Sequence, residues 1–208
     1  MYNRQDRQDY LMRYSPRFSA VGGLTLITPG DLPWSISEFR DHLRLDGTDQ
    51  DQWLTAILTA ATRKVEADTS IALMRSTYRY AIDRACGSIL LPIGPVFSIE
   101  SILYLSISGV ETTVPVEEYY LDNRSNPARL QNRDTFSWPT LYDVSGAFWV
   151  NFVAGHESAN DIPQDLRFAV LLLAAHWFEN REASTLLNLN QIPLGYDSIV
   201  TSHRRVSW

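Results

Sequence analysis

The sequence predicts an α+β protein: a helical bundle with an inserted small antiparallel β-sheet and extended arms at both ends. Apolar residues recur at helical spacing before residue 69 and again after residue 162. Between these regions lie short β-prone runs separated by turn signals. We therefore expect an arm and linker over 1–33, a core over 34–182 and a C-terminal arm over 183–208.

The N-terminal arm, Met1–Ala20, shows no period that would bury a helix or strand face. It mixes arginine, aspartate and tyrosine, and a linker rich in glycine and proline follows it. One interpretation is a solvated tail. The other is an arm that contacts a neighbouring subunit through Arg4, Arg7, Tyr10, Arg13, Tyr14 and Arg17.

Two helices are predicted next, over 35–45 and 49–68. Ser35 and Glu38 have the spacing of a capping box, in which each side chain bonds the other's backbone N–H. The two helices should form a short antiparallel hairpin. The expected buried side of the second helix comprises Trp53, Ala56, Ile57, Ala60, Ala61 and Val65.

Residues 78–154 predict the inserted sheet. Turn signals such as Ser108-Gly109 and Asn126-Pro127 separate its β-prone runs. The predicted strands are Tyr78–Asp83, Ile89–Leu91, Ile99–Leu105, Glu118–Leu121 and Phe148–Val153.

The last long helix is predicted over 163–181. Pro163 suits its first turn, where a backbone N–H has no helical partner. Its middle is apolar on every side, so we expect it to be buried within the subunit or between subunits. A short helix, Tyr196–His203, is predicted in the C-terminal arm.

Composition excludes several classes of protein. The net charge of −6 argues against a protein that coats nucleic acid, and a single cysteine excludes a disulfide framework and a cysteine-based zinc site. The longest apolar run, Phe168–Ala175, is far too short to cross a bilayer, and no signal-peptide core is found. Seventeen of the eighteen basic residues are arginine, the cation that is favoured at multi-donor interfaces.

No catalytic set, metal site or cofactor motif is recognisable in the sequence. The histidines lack metal-ligand spacing, and phosphate-loop and dinucleotide glycine patterns are absent. Two alternatives stay open. A nucleic-acid-binding module would use the arm with Arg124, Arg129 and Arg133, and a hydrolase would use His156 or His176 with a nearby carboxylate.

Several strings, in their order along the chain, resemble the head–tail connector (adaptor) proteins of tailed bacteriophages. The resemblance covers about Ile36 to Arg205. It rests on His42–Asp46, Asp51–Glu66, Leu91–Val96, Ile99–Ile102 with Tyr104, Tyr119–Asp122, Trp138-Pro139, Val150–Gly155, Ile162-Pro163, Ala175–Glu182, Ile192–Gly195 and the arginines near the end.

The resemblance implies a non-enzymatic virion protein that is assembled in the bacterial host cytoplasm. Such proteins form a homo-oligomeric ring, generally a dodecamer, beneath the portal protein at the head–tail junction. The ring extends the exit channel, through which double-stranded DNA passes without specific binding, and the tail or stopper protein docks on it. A phage and a phage-like gene transfer particle are both compatible with it.

The resemblance also implies where the portal is bound. Family members commonly engage it through the C-terminal segment, which here corresponds to Gly195–Trp208. Arginine and aromatic residues are enriched at interface hot spots, and both types occur at this end of the chain. The expected portal contacts are Tyr196, Ile199, Val200, His203, Arg204, Arg205 and Trp208.

Overall fold

The structure is a computed structural model that describes residues 23–180 and 194–205. In that part of the chain the helices are α1 (Ile36–Leu43), α2 (Asp51–Thr69), α3 (Gln164–Glu179) and α4 (Leu194–His203). The strands are β1 (Gly23–Thr28), β2 (Ser76–Ile82), β3 (Ile89–Leu90), β4 (Val96–Leu105), β5 (Glu111–Thr113), β6 (Tyr119–Asp122), β7 (Arg129–Asn132) and β8 (Phe148–Ala154). The α+β class, with strands inserted between helices, is confirmed.

The larger sheet has the strand order β1-β2-β8-β4-β5, and all its pairings are antiparallel. Alternate residues of the central strand β8 are buried, as expected for a strand with one face on the core. There Phe152 stacks on Tyr78 of β2, with ring centroids 5.8 Å apart. A second sheet, β3-β7-β6, contributes Ile89, Leu130 and Tyr119 to the same apolar cluster.

The helices enclose a separate apolar cluster that includes Leu54, Leu58, Leu166 and Val170. Two contacts between Trp34, which precedes α1, and Arg167 of α3 hold the start of α1 against α3. The Trp34 indole N–H donates to the Arg167 carbonyl at 2.7 Å, and the Arg167 guanidinium lies 3.6 Å from the Trp34 ring centroid. The capping box of Ser35 and Glu38 is present as predicted.

The sequence predicts a linker over residues 23–28, whereas the structure places strand β1 there. Of the breakers on which that prediction relied, Gly23 is the first residue of the strand, and Pro29 and Gly30 follow its last residue. The segment pairs with β2 at the edge of the sheet. Because one edge of β1 and most of its side chains are exposed, it carries little of the burial signal that marks a strand.

The predicted buried side of α2 is wrong in part. Trp53 is 50% exposed, and Ala56 and Ala60 are also exposed. The buried side includes Leu54 and Leu58, because α3 and α4 cover the face on which those leucines lie. α3 is largely buried within the subunit, although Phe168 remains exposed.

Candidate functional site

Helix α4 is held on α2 and α3 by a buried tyrosine. Tyr196 is 1% exposed, and its hydroxyl donates to Asp68 Oδ2 at 2.7 Å. Burial and this hydrogen bond raise the pKa of Tyr196, so the hydroxyl remains protonated and donating at neutral pH. The C-terminal helix is therefore docked by packing and by a specific polar contact.

Contacts at the end of α4 complete this docking. His203 Nε2 lies 2.5 Å from Asp165 Oδ2 in the first turn of α3. Burial opposes ionisation of Asp165, but hydrogen bonds from His203 and from the Leu166 backbone N–H outweigh burial and lower its pKa. These contacts join the C-terminal end of α4 to the first turn of α3.

Arg205 turns back onto the subunit immediately after α4. Its backbone N–H donates to the Thr69 carbonyl at 3.0 Å, and its guanidinium lies against Gly94. A Cβ at position 94 would lie 1.9 Å from Arg205 Nη1, so a side chain there would displace the guanidinium from this position. Burial also lowers the pKa of Arg205. The side chain is thus engaged within its own subunit.

The seven predicted portal contacts differ in accessibility. Tyr196 and Val200 are buried by packing within the subunit, so their side chains present little surface to a partner. Ile199, His203 and Arg205 are half-buried, whereas Arg204 is exposed. Trp208 lies outside the described residues. A portal interface on this segment stays a prediction. Arg204 is its exposed member among the described residues, and Ile199 is half-buried and also packs against the helical cluster.

The basic residues of the nucleic-acid alternative divide into two groups. Arg4, Arg7, Arg13 and Arg17, with Tyr10 and Tyr14, lie outside the described residues. Arg124, Arg129 and Arg133 are exposed around strands β6 and β7. Arg124 Nε lies 3.5 Å from Asp122 Oδ1, so the positive charge there is partly offset.

The histidines of the hydrolase alternative lie in different elements. His156 follows β8 and is half-buried, and burial lowers its pKa. His176 belongs to α3, where its Nδ1 lies 3.2 Å from Asn180 Nδ2. Within residues 23–180 and 194–205, no group of His, Cys, Asp and Glu could hold a metal ion. None of the helices described there is long and apolar enough to cross a membrane.

A set of exposed apolar residues that the sequence analysis missed surrounds the β4–β5 turn. We call it the hairpin patch and define it as Ile107, Val110, Tyr142 and Val144. Backbone hydrogen bonds join Ser106 to Val110 and Tyr142 to Leu105, which brings the two segments together. The signal that could have found it is a turn in which apolar residues flank Ser108-Gly109.

Comparison with known proteins identifies the family. A family model described as "Phage gp6-like head-tail connector protein" matches residues 34–103 and 133–204, more than half of the chain. The chain belongs to this family. The predicted resemblance to head–tail connectors is confirmed. The residues between the two matches include the hairpin turn and strands β5 to β7.

Solved structures similar to this connector come from gene transfer agent (GTA) particles. A chain of the "Neck of empty GTA particle computed with C6 symmetry" is 28% identical with a TM-score of 0.73, and the match covers 89% of this chain and 97% of that one. A chain of the "Virion of native gene transfer agent (GTA) particle" is also 28% identical, with a TM-score of 0.72, and the match covers 89% of this chain and 96% of that one. For a chain of the "Neck of native GTA particle computed with C12 symmetry" the identity is 28% and the TM-score 0.71, and the match covers 89% of this chain and 97% of that one. No curated protein matches the chain.

Proposed function

We propose that this connector protein is a structural subunit of a homo-oligomeric ring, a dodecamer, in the neck of a tailed phage or gene transfer particle. The ring docks beneath the portal, extends the DNA exit channel and provides the surface for the tail or stopper. The observation that carries the proposal is the 28% identity with neck structures over nearly the full length of both chains. The subunit has no enzymatic role.

Exposed apolar residues support ring formation. A closed ring needs head-to-tail contacts between two different surfaces of the subunit. The larger sheet carries exposed Leu24 and Ile27 on edge strand β1, and the hairpin patch lies beside the opposite edge strand, β5. Each subunit therefore offers exposed apolar side chains at two opposite edges of the sheet, which are two different surfaces.

Electron microscopy of the connector co-expressed with the portal protein from its own genome tests the proposal. A symmetric ring capping the narrow end of the portal is the expected result. A monomer that does not bind the portal would overturn the proposal. DNA affinity that falls steeply with salt would instead favour the nucleic-acid alternative.

The portal contact is best tested without removing α4, because Tyr196 is part of the subunit core. The combined variant Ile199→Asp with Arg204→Glu should abolish co-purification with the portal. Because Ile199 is half-buried against the helical cluster, the variant should also unfold at a lower temperature, and binding is compared well below that temperature. Thr201→Asp, at an exposed position on the same helix, is the matched control and should bind normally. Normal binding by the double variant would exclude this surface.

A further inference from the structure

A cleft of about 320 Å³ lies between edge strand β1 and the C-terminal half of α2. Leu24 and Leu26 of β1 line it together with Ile93, and α2 contributes Arg63 and Ala67. Its volume is at the small end of the range for ligand pockets, about 300–1,000 Å³. The cleft therefore suits one or two side chains of a protein partner.

Arg63 places a positive charge at the rim of this cleft. Its side chain is 34% exposed, and its Nη1 donates to Glu66 Oε2 at 2.6 Å. Glu66 is buried and also accepts from the Leu73 backbone N–H at 2.9 Å. A guanidinium has five N–H donors, so within the described part of the chain Arg63 keeps donors for a second carboxylate. The cleft therefore favours an apolar side chain with an acidic residue beside it.

The turn between β4 and β5, which carries part of the hairpin patch, has this composition. Ile107 is 69% exposed, the most exposed large apolar side chain among the described residues, and Val110 is 59% exposed. Glu111 follows directly in the sequence and is also exposed. The five residues from Ser106 to Val110 carry no charge, so the acidic group stands beside an uncharged apolar tip.

The turn is held in shape by its own hydrogen bonds. The Ser106 N–H donates to the Val110 carbonyl at 2.9 Å, and the Gly109 N–H donates to the Ser106 carbonyl at 2.7 Å. Gly109 has a φ of 76°, in the left-handed region that glycine adopts without strain. A turn fixed in this way loses little conformational freedom on binding, which favours affinity.

We propose that the β4–β5 turn of one copy inserts into the cleft of the next copy in the ring. Ile107 packs on Leu24 and Leu26, so apolar surface that each copy exposes alone is buried in the contact. Glu111 pairs with Arg63 at the rim, where opposite charges meet. The inference rests on the proposed function, because the ring provides the neighbouring copy.

The positions of the two surfaces require two copies. The cleft adjoins β1 and the turn adjoins β5, which are the opposite edge strands of the larger sheet. Four strand spacings of about 4.8 Å separate these edges by about 19 Å, so the turn does not reach the cleft of its own subunit. Contact between two identical turns would be two-fold symmetric and would close a dimer. A turn in a cleft is a head-to-tail contact, which continues around a ring.

Disulfide trapping in the full chain tests the inference. In a Cys86→Ser background, one protein carries Ala67→Cys at the cleft, and a second carries Ser108→Cys beside Ile107 in the turn. The two are mixed, assembled with the portal and oxidised with diamide. Ala56→Cys in place of Ala67→Cys is the matched control, since Ala56 is an exposed alanine of the same helix about 16 Å along its axis.

A heterodimer with Ala67→Cys and none with Ala56→Cys is the expected result. Preparations that contain rings but yield no heterodimer, or equal yields from the two positions, would overturn the inference and leave the proposed function standing. Absence of rings in every preparation, including the parent protein, would overturn the proposed function and the inference with it.

Filling the cleft tests the contact without a disulfide. Ala67→Trp places an indole where the turn of the neighbouring copy would insert, so it should abolish ring assembly with the portal. Ala56→Trp is the matched control and should assemble normally. Mass photometry counts the rings, and thermal unfolding verifies that both variants fold. Normal assembly by a folded Ala67→Trp protein would overturn the inference.

The charge beside the turn provides a finer test. Glu111→Arg replaces attraction to Arg63 by repulsion and should lower the heterodimer yield about fivefold. Glu117→Arg, at another exposed glutamate that follows β5, is the matched control and should leave the yield unchanged. An undiminished yield with Glu111→Arg would overturn the assigned ion pair.

Discussion

The helical layer, α1 to α4, and the sheet layer, β1 to β8 with their loops, differ in how completely they cover their apolar side chains. Among the described residues, the large exposed apolar side chains of the helical layer are Trp53 and Phe168. In the sheet layer they are Leu24, Ile27, Phe97, Ile107, Val110, Val116, Tyr120, Tyr142 and Val144. The helices thus form a self-contained frame, and most surface suited to partners belongs to the sheet layer.

The largest predicted effects come from the two cores, where the layers should behave alike. Leu58 in the helical layer and Ile102 in the sheet layer are both fully buried. Leu58→Ala and Ile102→Ala should each lower the free energy of unfolding by about 2–5 kcal/mol, because each leaves a cavity. Urea unfolding followed by circular dichroism measures this. Two separate transitions would show that the layers unfold independently.

A smaller loss is expected where α4 joins the helical frame. Tyr196→Phe keeps the buried ring but leaves Asp68 without the tyrosine donor, which should cost about 1–3 kcal/mol. The matched control is Tyr120→Phe in the sheet layer, since the Tyr120 hydroxyl bonds Gln131 at an exposed position. Thermal unfolding measures the loss of stability in Tyr196→Phe and in Tyr120→Phe. Equal losses would contradict the interpretation of α4 as part of the frame.

Elements with local signals were predictable from the sequence. The capping box of Ser35 and Glu38 involves residues three apart, and α3 shows an unbroken apolar segment. Strand β1 was missed because its assignment depends on pairing with β2, whose residues lie 49 to 58 positions later in the chain. Strands β5 and β7 are short and depend in the same way on their partners.

The contacts of the candidate site are even less local. Tyr196 meets Asp68 across 128 residues, and His203 meets Asp165 across 38. Tyr196 and His203 are expected as portal contacts because the family resemblance implies that the C-terminal segment engages the portal. Their burial and pairing depend on how α4 folds back onto α2 and α3, which a linear pattern does not encode.

The pH dependence of stability tests the buried carboxylate of Glu66 in helix α2. Burial raises the pKa of Glu66 in the folded state, so the folded state binds more protons between the unfolded and folded pKa values. Stability should therefore fall as pH rises through that window and level off above it. Urea midpoints of the parent and of Glu66→Gln measure the contribution, which the variant should lack. An unchanged slope in Glu66→Gln would assign the pH dependence to other groups.

The smallest effects on stability, and the sharpest contrast in assembly, are expected at the exposed apolar residues. Ile107→Asp and Val110→Asp should each change the free energy of unfolding by no more than about 0.5 kcal/mol, because neither residue is part of a core. Both should nevertheless prevent ring formation, since a desolvated carboxylate disfavours an apolar interface. Phe168→Asp is the control in the helical layer, and mass photometry with portal present counts the assembled rings. Loss of rings with Phe168→Asp but not with the hairpin variants would reverse the roles assigned to the two layers.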